Sequence, residues 1–309
     1  MTSSPVAMLP PELLLEIFSQ SPDQEDLKRC TLVCQAWRDE AQSVLWRSGA
    51  TLVGDEDIRR FVGTASRRRV NPKEMTICNL RNPRLLSTLW SSIAGVETLV
   101  ILSEGGTFSA ETFNHPALAD LKTLSVKGSL APSDPSLRLP FRLSLLNISD
   151  EGIQSRHLAS FLGAIAQTST STLRSLCLLS VNAAANSAIA RSILPLAPNL
   201  QHFGLSLTTE RNATAYAPFL GSATSLRSIE CTGLYFPLLH SLPPNLKGFA
   251  LSDSIDRINV SELMNMLRRL KHLERLFFTC SREDLMECEG GPQMIEEMTR
   301  RKVAWYFSE

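Results

Sequence analysis

The chain has 309 residues, 43% of them hydrophobic and 20% charged, and its 31 basic residues are balanced by 31 acidic ones. This composition excludes a disordered chain. The zero formal net charge argues against a general polyanion binder and leaves only a local patch open.

The length fits one large domain or two modest ones. The opening MTSSPVAM has neither the basic n-region nor the long apolar stretch of a secretory signal. The longest apolar run worth testing, LASFLGAIA at 158–166, falls far short of the roughly 20 residues a membrane helix needs. The seven cysteines are odd in number and scattered, so reduced thiols in the cytoplasm or nucleus are expected. The sequons at Asn147, Asn212 and Asn259 are then expected to be coincidental.

The first element is a helix starting at Leu9-Pro10-Pro11-Glu12. Proline suits a first turn, where its missing N–H has no intrahelical partner to lose, and Glu12 lies where the helix dipole favours an anion. Leu9, Leu13 and Ile17 are four apart, and so are Leu14 and Phe18. The apolar stripe is wide enough to need contacts on two sides. A second helix is signalled by DQEDLKRCTLV after Asp23, with Leu27, Cys30, Leu32 and Val33. A third covers CQAWRDEAQSVLW, with Cys34, Trp37, Ala41, Val44 and Leu45 at helical spacing. A unit of about 40 residues rarely builds an adequate core alone, so something outside should cover the excess apolar surface.

These residues resemble an F-box. The resemblance is carried by Leu9-Pro10, Glu12-Leu13, Ile17-Phe18, Asp26-Leu27, Leu32-Val33-Cys34, Trp37-Arg38 and Leu45-Trp46, in order and spacing. Ser21-Pro22-Asp23 departs from it where a leucine often ends the first helix. The resemblance implies a module over 5–50 that docks a Skp-type adaptor, and through it a cullin, in an SCF-type ubiquitin ligase. The implied adaptor-binding residues are Leu9, Pro10, Pro11, Glu12, Leu13, Ile17, Leu27, Leu32, Val33, Cys34, Trp37, Leu45 and Trp46.

GDEDIRRFVGTASRRRVNPKE follows and reads as a linker helix over 51–70 with a basic end. Arg59, Arg60, Arg67, Arg68, Arg69 and Lys73 are expected on a solvated face rather than on nucleic acid.

From residue 71 to 309 the chain is periodic. The template L-x-x-L-x-L recurs as VETLVI from Val96, LKTLSV from Leu121, LSLLNI from Leu143 and LRSLCL from Leu173. LQHFGL from Leu200, LRSIEC from Leu226, LKGFAL from Leu246 and LERLFF from Leu273 continue it. Start-to-start steps run from 20 to 30 residues. A weaker first copy surrounds Met75 and Ile77, and VAWYF at 303–307 reads as a last strand. The amphipathic texts HLASFLGAIAQT (157–168) and VSELMNMLRRLKHL (260–273) read as helical returns, and the Pro- and Ser-rich 129–140 as a loop.

The steps resemble those of leucine-rich repeats. The Asn or Cys that family places after the strand is mostly missing, so the array is degenerate. The fold expected is α/β: a three-helix F-box followed by a leucine-rich-repeat solenoid with a curved, mostly parallel sheet.

No catalytic or metal constellation stands out. The Gly-rich phosphate loops, H-E-x-x-H and G-x-S-x-G are missing, and Cys30 and Cys34 lack two further ligands at suitable spacing. The chain is therefore expected to be no enzyme and to hold no cofactor. The partners expected are an adaptor, a cullin through it and an unknown protein substrate, with no nucleic acid and no membrane. An adaptor-bound scaffold that delivers no substrate is the alternative.

If the fourth position of each template points into the core, alternate residues form a concave target-binding face. Its members are expected to be Val100, Leu102, Lys127, Asn147, Leu179, Glu230, Phe277 and Thr279. Only Lys127 and Glu230 among them carry charge, which predicts apolar and backbone contacts with the target.

Overall fold

The computed structural model describes residues 9–20, 24–68, 71–131, 134, 137–149, 155–179, 186–206, 210–232, 236–252 and 259–307. Two compact units emerge, residues 1–106 with 115–121, and residues 107–114 with 122–309.

The first unit opens with α1 (Pro11–Ser19), α2 (Gln24–Cys30) and α3 (Gln35–Ser48). Among the described residues, no side chain caps α1. Instead the Pro10 carbonyl accepts from the Leu13 and Leu14 N–H groups at 3.1 Å, and Pro11 fills the first helical position. Leu14 and Phe18 turn inward onto Leu27 of α2 and Ala41 and Val44 of α3. The Phe18 and Trp37 rings meet edge to face at 5.4 Å, an arrangement the ring quadrupoles favour. Arg38 ties the turn before α3 by donating from Nε to the Thr31 carbonyl at 3.0 Å.

The segment 51–70, expected to be a linker helix, is helical over 54–68, and this helix joins two paired strands. Ala50–Val53 forms strand β1, and α4 (Gly54–Arg68) carries the chain across to β2 (Glu74–Cys78). The strand escaped notice because only Thr51 and Val53 are β-branched. Ala50 and Leu52 nevertheless alternate inward as a half-buried strand requires. Asp55 at the start of α4 accepts the Arg81 and Asn82 N–H groups at 2.9 and 3.2 Å, anchoring the loop after β2. β3 (Thr98–Phe108) pairs with β2 in parallel, Leu99 opposite Met75. Between them, α5 (Arg84–Trp90) buries Leu86, Leu89 and Trp90. Arg59 and Arg60 pair with Glu56, and Lys73 with Glu97, as a solvated charged face would. Arg69 and the side chains of Arg67 and Arg68 lie outside the described residues.

Among the described residues, the second unit holds eight further strands. They are β4 (Thr123–Leu130), β5 (Leu145–Ser149), β6 (Ser175–Leu179), β7 (His202–Ser206), β8 (Ser228–Thr232), β9 (Gly248–Leu251), β10 (Arg275–Phe278) and β11 (Ala304–Phe307). They lie side by side in chain order and every pair is parallel. A parallel neighbour cannot be reached by a hairpin, so each step needs a crossover. The main ones are α6 (Ser155–Ser169), α7 (Asn186–Ile193), α8 (Glu210–Ser222), α9 (Phe236–Ser241) and α10 (Val260–Arg269), with α11 (Arg282–Glu287) and α12 (Gly291–Arg300) before the last strand. Every L-x-x-L-x-L copy carries a strand. Its leucine-type positions go inward, and in register Leu146, Leu176, Phe203, Ile229, Phe249 and Leu276 form one buried row.

Phe203 meets Phe219 and Tyr216 of α8 at 4.7 and 6.1 Å, which places that helix on the buried face. Two arginines close helix ends from a distance. Arg269 donates to the carbonyls of Leu239, His240 and Leu242 at the end of α9. Arg301 does the same to Leu267 and Leu270 at the end of α10. These are the last-turn carbonyls that a helix cannot satisfy itself. The core ends at β11, where Phe307 stacks on Phe278 at 5.6 Å and the Arg282 guanidinium lies 5.1 Å over the Trp305 ring.

Candidate protein-binding surfaces

The first surface lies on the N-terminal helices. With Leu14 and Phe18 directed into the core, their neighbours on α1 face out: Leu13 is 47% exposed and Ile17 53%. They are one turn apart on a single helix face. The turn between α2 and α3 adds Leu32 at 78% and Val33 at 62% exposure. That turn is held by its own backbone, with Leu32 N–H donating to Arg29 O at 3.0 Å and Val33 N–H to Cys30 O at 3.2 Å. Two bulky apolar side chains are thus presented to water by a fixed turn. Pro10, Pro11 and Glu12 are exposed beside them, and Leu9, Cys34, Trp37 and Leu45 are half-buried.

Leu27 must be removed from the expected contact residues. It is 3% exposed and belongs to the core, because α2 turns it under α1 and α3. The Trp46 side chain and Ser21-Pro22-Asp23 lie outside the described residues. Comparison with known protein families gives a match here: residues 6–49 fit the F-box-like family. The N-terminal helices are an F-box-like domain.

The second surface is the open face of the sheet. In the first unit, Val100 is half-buried and Leu102 39% exposed on β3. In the second unit, Lys127, Glu230, Phe277 and Thr279 are exposed, and Asn147 and Leu179 half-buried. Parallel register aligns Asn147, Cys177, Gly204, Glu230, Ala250, Phe277 and Tyr306 in one row across β5 to β11. The row contains a depression of about 480 Å³.

Its floor is made of residues with little or no side chain. A Cβ on Gly204 would lie 2.5 Å from the Cys177 Sγ, and one on Gly248 would lie 3.2 Å from the Ser228 Cβ. His202, Glu230, Arg275, Phe277 and Tyr306 stand around this floor. His202 Nδ1 and the Ser228 hydroxyl are hydrogen-bonded to each other. Burial, with the Glu230 carboxylate adding to it, pushes the Cys177 thiol above its ordinary range, so it stays protonated at neutral pH.

Glu230 and Phe277 are thereby brought together with residues the sequence reading did not include, whereas Lys127, Asn147, Leu179 and Thr279 do not line the depression. The expected face starts after the fourth template position. His202, Ser228, Gly248 and Arg275 sit two residues earlier, and strand alternation puts them on the same side. The face is therefore not nearly neutral, as was expected from Lys127 and Glu230 alone.

Among the described residues, no helix is long and apolar enough to cross a membrane.

Proposed function

We propose that this chain is the substrate-receptor subunit of an SCF-type, cullin-based ubiquitin ligase. Its F-box-like helices dock a Skp-type adaptor, and its sheet, read as a degenerate leucine-rich-repeat array, holds a protein target. The observation that carries this is the F-box-like match at 6–49, combined with the exposure of Leu13, Ile17, Leu32 and Val33 above a closed core. Side chains this large left in water on a small helical domain mark a partner surface.

The array reading rests on the repeated template, the one-strand-per-copy correspondence and the strict chain order of parallel strands. In this role the protein does no chemistry. It raises the local concentration of a target beside a ubiquitin-loaded enzyme. It works in the cytoplasm or nucleus, where its free cysteines remain reduced.

The test is a pair of variant sets in affinity capture. Leu13→Asp with Ile17→Asp should abolish recovery of the Skp-type adaptor, which otherwise copurifies at about one to one. Leu179→Glu and Phe277→Glu should lose target proteins yet keep the adaptor. Undiminished adaptor recovery with the first set overturns the docking assignment. Unchanged target recovery with the second overturns the sheet-face assignment.

A further inference from the structure

The depression borders a row of charge that the strand pattern hides. The residues just before the strands of the second unit are tied by a backbone ladder. Gln201 N–H donates to Arg174 O, Arg227 N–H to Gln201 O, Lys247 N–H to Arg227 O and Glu274 N–H to Lys247 O, each at 2.8 Å. With Arg275 beside Glu274, this edge carries Arg174, Arg227, Lys247 and Arg275 against one carboxylate. That carboxylate, Glu274, is held by Lys247 at 2.6 Å. Arg227 and Arg275 are exposed and make no ion pair among the described residues. The opposite ends of the same strands finish in Leu179, Ser206 and Thr232, which are uncharged.

We propose that the depression and this basic edge take an anionic peptide segment of the target. One apolar or aromatic side chain sits over the Gly204, Gly248 and Ala250 floor against Phe277 and Tyr306. Carboxylate or phosphate groups of the same segment lie on Arg227 and Arg275. The inference rests on the reading of the sheet as the target-binding face.

The dimensions agree. Arg227 precedes β8 and Arg275 opens β10, two strands away. At about 4.8 Å per strand their backbones are about 10 Å apart. Three residues of extended chain cover that distance. Guanidinium groups recognise carboxylate and phosphate through paired donors, so two exposed arginines at this spacing select two anions. A nucleic acid fits less well, because it would bring a phosphate at every step against Glu230, which stands in the depression. A peptide can place its anions at the edge and an uncharged group or N–H at Glu230.

Fluorescence anisotropy on the full chain tests this with fluorescein-labelled peptides of about twelve residues, each with a central Phe. One carries two Glu residues three positions apart, flanking the Phe, a second Gln at those sites and a third phosphoserine. The Glu or the phosphoserine peptide should bind about tenfold or more tightly than the Gln peptide, and the stronger of the two names the source of the charge. Arg227→Glu and Arg275→Glu should each weaken binding about tenfold, and Ala250→Gln should abolish it by filling the floor. Both arginines are exposed and make no ion pair among the described residues, so these variants should keep the fold.

Equal binding of the Gln peptide, indifference to the arginine reversals, no binding of any peptide, or preference for a single-stranded RNA of equal length would each overturn the inference. A Gln peptide that binds as well but is lost in Ala250→Gln overturns only the anionic part and leaves the face assignment standing. Peptide binding that ignores Ala250→Gln removes the face assignment as well.

Discussion

Leu32 offers the sharpest test of the adaptor surface. It is 78% exposed, so its side chain contributes little to the fold and almost all of it can still be covered. Full burial of a leucine is worth about 1.5–3 kcal/mol, and the exposed fraction of Leu32 therefore has roughly 1.2–2.3 kcal/mol left to gain. Leu32→Ser should weaken binding to a Skp-type adaptor by about 7- to 50-fold, since 1.4 kcal/mol is a factor of ten. Its melting temperature should stay within a degree or so of the parent, as surface changes away from special features usually have small effects. Leu14→Ala is the control. That residue is 1% exposed in the core of the same domain, and its truncation should cost about 2–5 kcal/mol of stability. Calorimetric titration with purified adaptor and a thermal melt of each variant supply both numbers. Leu32→Ser binding within twofold of the parent would refute the assignment of this turn to the interface. A fall in its melting temperature comparable with that of Leu14→Ala would show that the turn is structural.

Other consequences follow from single contacts. Arg301→Met removes the donors on the last carbonyls of α10, and half-burial lets water replace them only in part. The loss should be about 2 kcal/mol in chemical denaturation. Gly204→Ala places a Cβ 2.5 Å from the Cys177 Sγ and should destabilise the sheet, while Cys177→Ala in the same chain should recover most of the loss. Equal damage in the double variant would mean that the glycine is needed for another reason. The Lys247 ammonium holds the Glu274 carboxyl below its ordinary range by hydrogen bond and charge. Any stabilisation from the pair is present above the unfolded carboxyl pKa and is lost as pH falls through the depressed folded value. In Lys247→Met, an NMR titration should find the Glu274 pKa moved up towards the ordinary carboxylate value, and an unmoved midpoint would exclude Lys247 as the cause.

What could be read in the sequence follows from how strongly each element repeats. The L-x-x-L-x-L copies located the strands from Val96 to Phe278, because three inward positions per copy must all be large and apolar to fill one core. Ala50–Val53 has no such copy, so its strand shows only in its pairing with Glu74–Cys78. In the F-box-like domain the pattern separated two apolar rows but could not say which was inside. Packing against α3 chose Leu14 and Phe18, and Leu27 followed them inward.

The sheet face was harder still, because outward positions answer to no core. Gly204 and Gly248 look like weak links in a strand until register sets them beside Cys177 and Ser228. Arg227 and Arg275 are 48 residues apart in the chain and two strands apart in space. A sequence scan for a basic cluster found the run at 67–69, where the charges are adjacent in the chain. The cluster that can act on one ligand is assembled by the parallel order of the strands. In a sheet of parallel strands taken in chain order, outward side chains from distant segments become neighbours, so their combined chemistry appears only when the strands are read in register rather than in line.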